Sequence, residues 1–456
     1  MSTISKCRKY VAEFRAEFKL SSSNYLFCNI CSIVVQSDRR STVLRHRETE
    51  KHKRSLMQIQ IPGQTFLPNE ITSRNDFTDK VVLAFLSSDI PLYKINNPYL
   101  KDLFRYINKE LPSESTCRSR IPLLVSTEVT RIKNLIQGEN IFLVIDESEL
   151  CGKKYFNTLI GLLKEPNKTY LIDCRVCDGS IDQRFVIHTI DDKVRDLEIN
   201  RKEFSLLLTD AAPYMLAAGK ILKEFYPNLF HVTCVAHLFH NCAEKVRAYY
   251  SNVDNLISSI KASTLKNKNR KNKFRLIGSP PEPVLTRWGT WIKAALYYSN
   301  NLPAVREIVE SFEGNGLLVC KAKCAIQCTD LPQSLLEIKR DYACLLHLIE
   351  KTENTCYSIE TAYQDLTTIY LRHDSCNIKK YILKRLTKNS DISAIMSLNR
   401  NDVSPSHYQL LQHCPSTSVT VERSFSMLKK LLSNDRHFLD QNVKNYLMFK
   451  YNSTNH

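Results

Sequence analysis

Four potential metal ligands lie close to the start of the sequence. Cys28 and Cys31 form a C-x2-C pair. His46 and His52 follow as an H-x5-H pair after fourteen intervening residues. Two thiolates from a tight turn and two imidazoles from one helix are a tetrahedral donor set that suits Zn²⁺. The alternative is two buried cysteines beside two surface histidines, but four ligands rarely coincide in this order and spacing. We therefore predict a structural zinc site, which would supply folding energy that so short a segment lacks.

The segment between the two pairs is basic, and its pattern predicts a helix. Ser37 and Asp38 provide a capping start for that helix. Because the histidines are six residues apart, the helix must distort or end near His52 for both rings to reach one ion. A basic finger helix can enter the major groove of DNA and contact phosphates and bases, whereas the alternative is a solvated face. The basic residues are Arg39, Arg40, Arg45, Arg47, Lys51, Lys53 and Arg54.

Two aspartates end apolar runs further along the chain. Asp146 ends the run NIFLVID, and Asp210 ends FSLLLTD. If these strands are neighbours, the two carboxylates face one point at the carboxyl ends, where open α/β sheets place ligands. Paired carboxylates suit Mg²⁺ or Mn²⁺, and two such ions can activate a nucleophilic oxygen and stabilise the leaving oxygen of a phosphodiester. The pattern is equally compatible with aspartates that only cap the following turn or helix.

The elements around these aspartates predict an α/β segment. Apolar, β-branched runs indicate strands joined by short turns. A helix is expected over about 183–200, and LFHVTCVAHLFHNC indicates a strand that runs into a helix. The predicted order is β-β-β-α-β-α-β-α. The first four strands are expected at 140–150, 154–163, 169–179 and 204–210.

The charge of the chain favours an acidic partner. Its 456 residues include 64 Lys and Arg against 47 Asp and Glu, a net charge of +17. Residues 1–56 hold twelve basic and five acidic residues, and 264–275 hold six basic residues and no acidic one. Nucleic acid is the common partner of such a chain, with a mobile solvated loop as the alternative at 264–275. No membrane span and no secretory signal are expected, so the sixteen cysteines should stay reduced.

Helices are expected on both sides of the α/β segment. Residues 59–76 predict a linker, and the stretch behind them predicts helices broken at Ile90–Pro91. The C-terminal tail predicts two amphipathic helices around a turn at Asn434–Asp435. Three cysteines at helical spacing predict one buried helix face. They are Cys320, Cys324 and Cys328.

Five motifs resemble the hAT superfamily of DNA transposases. They are VIDES, LLTDAAPYM, CVAHLFHNC, LTRWGTW and the C-terminal block STSVTVERSFSMLKKLLSNDRHFLDQNVKNYLMF. The finger with its following helical segment is also similar to CGG-triplet-repeat-binding proteins. The resemblance extends over roughly residues 25–455. Its most specific parts are the C-terminal block and the C-x2-H element.

The resemblance implies roles for single residues of the core. Asp146, Asp210 and Glu422 would be the carboxylates that bind catalytic Mg²⁺ or Mn²⁺. Cys234 would support the active site, and His237 would contact DNA. All five roles are expectations taken from the family.

Two further roles fall in the long insertion of the family. Trp288 would be a stacking platform for a flipped base, and Arg287 would contact a phosphate. Trp291 is the only other tryptophan in the sequence and could substitute in the stacking role.

The resemblance also implies an architecture. It is an α/β fold with a ribonuclease-H-like mixed sheet and a helical insertion, plus an N-terminal ββα zinc finger and a helical C-terminal dimerisation region. The expected boundaries are 1–58 for the finger, 59–137 for a linker and helical DNA-binding segment, 138–245 for the first part of the core, 246–415 for the insertion, and 416–456 for the end of the core and the dimerisation region.

Two hypotheses about function follow. The first is a nuclear protein derived from a hAT-type transposase that cleaves and transfers DNA strands with metal ions. The second is a catalytically silent zinc-finger protein that binds double-stranded DNA and regulates transcription. Both imply a homodimer or higher oligomer through the C-terminal region, and neither involves a membrane. A ribonuclease-H-like nuclease that acts on RNA has no RNA-binding motif in its favour.

Overall fold

The computed structural model divides into two compact units, Met1–Phe77 and Thr78–His456. Its described part is a mixed α/β structure that is mostly helical. The described residues are 3–14, 17–20, 25–31, 33–37, 39–53, 68–177, 179–265, 267–284, 289–314, 316–353, 357–372, 380, 384, 391–398, 405–432 and 440–454.

The N-terminal unit contains a helix, a small sheet and a second helix. Its elements are α1 (Thr3–Glu13), β1 (Phe18–Leu20), β2 (Leu26–Cys28), β3 (Ile33–Val35) and α2 (Arg40–Arg47). The three strands are antiparallel, in the order β1-β2-β3. Phe18, Leu26 and Val43 are buried in one cluster, to which α1 contributes Cys7 and Tyr10. So small a core stabilises a fold only weakly, and a metal crosslink would add what the core lacks.

The start of α2 differs from the expected capping start. The N-cap residue is Arg39, which has extended backbone and makes no side-chain capping hydrogen bond. Ser37 instead places its hydroxyl oxygen 2.9 Å from the Cys7 sulfur. Asp38 lies outside the described residues. Burial of Val43 therefore anchors this helix where capping does not.

Helices also precede the large sheet. They are α3 (Pro68–Ser87), a 3₁₀ turn (Leu92–Asn96), α4 (Pro98–Tyr106) and α5 (Glu114–Ile136). Asn97 caps α4 by accepting hydrogen bonds from two backbone amides, and Ser113 caps α5 by accepting one from the Thr116 amide. The expected linker is wrong from Pro68 onward, because that stretch is already helical. Its earlier part lies outside the described residues.

A five-stranded sheet forms the centre of the larger unit. Its strands are β4 (Ile141–Leu150), β5 (Lys153–Leu162), β6 (Thr169–Cys177), β7 (Phe204–Thr209) and β8 (Phe230–Thr233), in the spatial order β6-β5-β4-β7-β8. β5 is antiparallel to both of its neighbours, whereas β4, β7 and β8 run parallel. β7 is buried along its whole length, which explains why its sequence is a continuous apolar run. The predicted order of strands and helices in this segment is observed.

Two helices connect the parallel strands, and a third follows the last strand. α6 (Gln183–Asp196) joins β6 to β7, α7 (Pro213–Phe225) joins β7 to β8, and α8 (Val235–Tyr249) follows β8. Gly219 of α7 lies against the ring of His231, and a Cβ atom there would be 2.0 Å from the ring Nδ1. Only a residue without a side chain allows this close approach of helix and strand.

The chain continues through helices and ends with two that pack on the sheet. The intervening helices are α9 (Ser251–Thr264), α10 (Lys268–Lys273), α11 (Thr290–Glu310), α12 (Leu317–Ile326), α13 (Leu331–Glu337), a π-type segment (Ile338–Tyr342), α14 (Ala343–Thr352), α15 (Ile359–Arg372), α16 (Asp391–Ser397) and α17 (Pro405–His413). The last two are α18 (Val419–Leu431) and α19 (Asp440–Thr454). α18 packs on β4 and β5, and α19 packs on β6 and α5.

The apolar faces of α18 and α19 are buried within this chain. Phe425, Leu428 and Leu447 are at most 4% exposed. Both helices therefore belong to the core of the larger unit, and a dimer is not needed to bury them. The expected turn at Asn434–Asp435 lies outside the described residues.

The buried cysteine face expected on α12 is wrong. Cys320 and Cys324 are exposed, and Cys328 is only partly buried. The helix instead packs through Val319, Ala322 and Ile326, because their spacing sets a different face toward the core.

None of the described helices is both long and apolar enough to cross a lipid bilayer.

Candidate metal sites

The four N-terminal ligands form one cluster. One donor atom from each of Cys28, Cys31, His46 and His52 lies within 4.8 Å of all the others. His52 Nδ1 is 3.5 Å from the Cys28 sulfur and 3.3 Å from the Cys31 sulfur. The same nitrogen is 3.3 Å from His46 Nε2. This cluster could hold a zinc ion, since two sulfurs and two imidazole nitrogens are a common structural zinc set.

A break in the helix accommodates the wide histidine spacing. α2 ends at Arg47, and a new helical turn forms around residues 50–53. Thr49 joins the two segments, because its hydroxyl donates to the His46 carbonyl and accepts from the His52 amide. His52 can therefore turn its ring back toward the cysteines, which an unbroken helix would prevent.

The electrostatics of the cluster fit a bound cation. Burial and the neighbouring Cys28 thiol raise the pKa of Cys31. Burial and the nearby His52 ring lower the pKa of His46, which favours the neutral imidazole that binds metals. A divalent ion would remove the cost of placing two thiolates together.

A carboxylate that sequence reasoning missed contacts this cluster from outside. Glu17, beside the start of β1, places Oε2 at 3.2 Å from His52 Nε2. The same carboxylate receives two hydrogen bonds of 2.6 Å from the Arg47 guanidinium. No sequence signal marked Glu17, because it lies eleven positions before the first ligand and matches no motif.

The basic residues of the finger divide into two groups. Arg40 pairs with Glu13, and Arg47 pairs with Glu17 while lying 4.5 Å from the centre of the Phe14 ring. These two arginines serve contacts within the fold. The second group, Arg39, Arg45 and Lys51, is exposed and makes no ion pair within the described chain.

A second cluster lies at the carboxyl end of β4. Donor atoms of Asp146, His237 and Glu422 lie within 4.8 Å of one another. His237 is in the first turn of α8 and Glu422 in the first turn of α18, with 3.9 Å between His237 Nε2 and Glu422 Oε1. The fold thus brings together residues that are 276 positions apart in the sequence.

Asp210 stands outside this three-residue group. It follows β7, which is the parallel neighbour of β4, so the two strands that the sequence analysis left as possible neighbours do lie side by side. Its Oδ1 accepts a hydrogen bond of 3.1 Å from the Ala212 amide, which is the capping role considered as the alternative. Its charge still acts on the cluster, because it contributes to the raised pKa values of Asp146 and Glu422.

Burial dominates the electrostatics of this second cluster. Burial raises the pKa of Asp146 well above its usual range, and the Glu422 and Asp210 charges raise it further. Burial also raises the pKa of Glu422. His237 behaves oppositely: burial would lower its pKa, but Cys234, Asp146 and Glu422 together raise it to about 10. The neighbouring thiol and carboxylates therefore favour the protonated form of His237.

One oxygen in this cluster has no partner. Oδ1 of Asp146 accepts a hydrogen bond from the Glu147 amide, whereas Oδ2 is buried without a hydrogen bond in the described structure. Such an orphaned oxygen costs free energy unless a cation or water satisfies it. The donor set therefore fits a divalent ion at Asp146 and Glu422.

Two contacts tie α18 to the sheet and fix the position of Glu422. The Ser418 amide donates to the Cys234 sulfur at 3.2 Å, at the start of α18. The fully buried Asn157 side chain donates to the Ser424 hydroxyl at 2.7 Å. Asn157 lies opposite Asp146 in the β4–β5 register. The β4–β5 pair therefore positions Asp146 directly and Glu422 through the Asn157–Ser424 contact. Sequence reasoning identified Cys234 but missed Asn157.

Of the two tryptophans in the sequence, the structure describes only Trp291. Arg287 and Trp288 lie outside the described residues. Trp291 is only 3% exposed, and its indole nitrogen donates to Asp254. Trp291 therefore cannot act as a stacking platform, and the suggestion that it substitutes for Trp288 is wrong.

A groove of about 670 Å³ lies beside Glu422 and is also lined by Lys293.

Comparison with known proteins finds a family match at the start of the chain. Residues 1–57 match the family model described as the CGGBP1 N-terminal domain. The matched segment contains the whole four-ligand cluster. None of the curated proteins matches the chain significantly.

Proposed function

We propose that this protein binds double-stranded DNA through its N-terminal unit, which a zinc ion holds in its folded form. The observation that carries the proposal is the convergence of Cys28, Cys31, His46 and His52 inside the segment that matches the CGGBP1 N-terminal domain. The exposed Arg39, Arg45 and Lys51 supply positive charge beside that cluster. Zinc would crosslink the sheet to the helix, and the basic side chains would then face phosphates in a fixed arrangement.

The test combines metal removal with DNA binding by the full chain. We expect chelation of zinc, or the Cys28→Ser change, to reduce affinity for duplex DNA by more than tenfold. Cys7→Ser is a matched control, since Cys7 is a buried thiol of the same unit outside the cluster. Titration with salt on repeat-containing and random duplexes separates phosphate attraction from base recognition. Unchanged binding after complete zinc removal would refute the proposal.

A second candidate function is metal-dependent cleavage and transfer of DNA strands, in a core that descends from a hAT-type transposase. The strand order β6-β5-β4-β7-β8, with β5 antiparallel, supports a ribonuclease-H-like core. The orphaned Asp146 oxygen beside Glu422 favours a cation at the carboxyl end of the central strand. Mg²⁺ or Mn²⁺ bound there would polarise a phosphodiester, and Asp146, Asp210 and Glu422 would hold the ions.

Side chains around Asp146 and Glu422 would position these two carboxylates for such chemistry. His237 Nε2 lies 3.9 Å from Glu422 Oε1, and the protonated ring would attract the carboxylates when no ion is bound. It could also attract a phosphate of the DNA strand toward the carboxylates. The buried Asn157–Ser424 contact would keep Glu422 in place if DNA bound at this cluster.

Nicking of supercoiled plasmid by the full chain with Mn²⁺ tests this second candidate. We expect Asp146→Asn and Asp210→Asn to abolish nicking. Glu149→Gln is the matched control, because Glu149 lies exposed on the same strand as Asp146. An absence of nicking on every plausible end sequence would refute this candidate and favour the catalytically silent DNA-binding alternative.

We also propose a nuclear location and a homodimer, both of which accord with a DNA-binding role. The C-terminal helices α18 and α19 are the expected dimer region, although their apolar faces are covered within the chain. Sedimentation of the full chain at several concentrations tests the dimer, and a fluorescent fusion tests the location. A monomer at micromolar concentration would refute the dimer.

A further inference from the structure

Glu17 contacts both a metal ligand and the basic helix. Its Oε2 lies 3.2 Å from His52 Nε2, on the side of the ring opposite the cysteines. On the other side, His52 Nδ1 lies 3.3 Å from the Cys31 sulfur and 3.3 Å from His46 Nε2. The His52 ring is therefore held between a carboxylate and the ligand cluster.

The contact requires one particular tautomer of His52. A neutral imidazole carries a proton on one nitrogen only, and the other nitrogen is available to a metal. A carboxylate accepts hydrogen bonds, so Nε2 must carry the proton and Nδ1 must be the metal-binding nitrogen. His46 presents Nε2 to the cluster, so the two histidines would use different nitrogens.

We propose that Glu17 is a positioning residue of the zinc site, a proposal that rests on the proposed zinc binding. Its carboxylate accepts the Nε2 proton of His52, fixes the orientation of the ring and directs Nδ1 to the metal. Carboxylates that orient a histidine in this way raise its basicity as a ligand, and their loss typically lowers metal affinity by about 10- to 100-fold.

The surroundings of Glu17 make the contact rigid. The Glu17 side chain is 16% exposed, and His52 is 3% exposed. Arg47 holds both carboxylate oxygens, with hydrogen bonds of 2.6 Å from Nε and Nη2. Arg47 also lies over the Phe14 ring. The carboxylate therefore has little freedom to turn away from His52, and the basic helix is linked to the metal site through Arg47.

Zinc affinity of the full chain, measured by competition with a chromogenic chelator, provides the first test. We expect Glu17→Ala to lower affinity by about 10- to 100-fold. Glu17→Gln keeps a hydrogen-bond acceptor but removes the charge. Its zinc affinity should lie between those of the unsubstituted chain and Glu17→Ala. Glu13→Gln is the matched control, because Glu13 pairs with Arg40, which lies on the same helix as Arg47, but Glu13 is not part of the ligand cluster. Arg47→Met keeps an apolar stem over Phe14 and should change affinity less than Glu17→Ala.

The outcomes separate this inference from the proposed zinc site. If Cys28→Ser and His52→Ala leave zinc affinity unchanged, the zinc site itself is wrong. If both lower affinity but Glu17→Ala does not, the zinc site stands and the role of Glu17 is refuted. If Arg47→Met lowers zinc affinity as much as Glu17→Ala does, the Glu17 carboxylate acts only through its pairing with Arg47. That result would also refute the proposed role of Glu17 in orienting His52.

Nitrogen NMR of the zinc-loaded full chain, labelled with ¹⁵N only in histidine, gives a second readout. The His52 signals are those that disappear in His52→Ala. We expect a zinc-bound Nδ1 and a protonated Nε2 for His52, and a zinc-bound Nε2 for His46. Zinc bound through Nε2 of both rings would overturn the proposal whatever the affinities.

Discussion

At the scale of single residues, the finger separates charges used for folding from charges that face solvent. Arg40 and Arg47 are paired with Glu13 and Glu17, so their charges are largely offset within the unit. Arg45 is exposed and has no such partner among the described residues. Only the second kind of residue brings net charge to a DNA phosphate.

We expect Arg45→Ala to weaken DNA binding more than Arg40→Ala does. Loss of one phosphate contact should reduce the slope of log affinity against log salt by about 1, whereas Arg40→Ala should leave that slope nearly unchanged. Fluorescence anisotropy at several salt concentrations measures both slopes. Equal effects of the two substitutions would show that pairing with Glu13 does not withdraw Arg40 from DNA.

A buried histidine is expected to make the stability of the larger unit depend on pH. The ring of His231 is 4% exposed, and its Nε2 lies 2.9 Å from the Thr209 hydroxyl. Burial lowers the pKa of His231 to about 4, against opposing attraction from Asp391 and with a smaller repulsion from Lys223. His231 is therefore neutral in the folded protein near pH 7.

We predict that acid destabilises the fold through His231. The unfolded chain binds the proton near pH 6.5 and the folded chain only near pH 4, so stability is lost as the pH falls between these values. The loss is at most about 3 kcal/mol. Urea unfolding at pH 7, 6 and 5 measures it, with His231→Gln as the variant that lacks this titration. The same pH dependence in both proteins would contradict the prediction.

At the scale of elements, the last helix, α19, covers an edge of the sheet. β6 is an edge strand, and α19 covers it. The Asn452 side chain accepts a hydrogen bond of 2.8 Å from the Leu171 amide and donates one of 3.1 Å to the Leu171 carbonyl. A single side-chain amide thus satisfies two backbone groups that the edge strand would leave unpaired.

Asn452→Leu should destabilise the larger unit by about 3 kcal/mol, because two buried backbone groups lose their partners. Urea unfolding measures the change. Ser453→Ala serves as the control, since the Ser453 hydroxyl donates to the Lys450 carbonyl within the same helix, and it should cost less than about 0.5 kcal/mol. If Asn452→Leu lowers the free energy of unfolding as little as Ser453→Ala does, water replaces the lost hydrogen bonds and the prediction is wrong.

The sequence predicted elements better than it predicted contacts. The strands and helices from residue 140 to 249 could be predicted because apolar, β-branched runs alternate with helical periods. The four ligands of the finger could be predicted because their spacing is local. Glu17 and Asn157 could not, because their roles depend on partners 35 and 267 positions away that no periodic pattern marks.

The wrong expectations have a similar cause. Cys320 and Cys324 fit a helical period, but so do Val319 and Ala322, and only the packing of the neighbouring helices decides which face is buried. Trp291 was a candidate for stacking on composition alone, whereas Asp254 holds its indole inside the fold.

At the scale of the whole molecule, the net charge of +17 favours the proposed association with nucleic acid. We predict that affinity for random-sequence duplex falls steeply between 50 and 200 mM salt, by at least about tenfold, as expected when several phosphates lose condensed ions. Filter binding across that range measures the fall. An affinity independent of salt would show that the positive charge does not face the DNA.

The covering of β6 by α19 has a consequence for synthesis of the protein. The ribosome makes the sheet long before it makes α19, so the nascent chain carries an open strand edge for most of its elongation. A product shortened by a premature stop codon would keep that edge permanently and could pair with another copy of itself. Shortened products should therefore collect in inclusion bodies or be degraded, even though their finger remains intact.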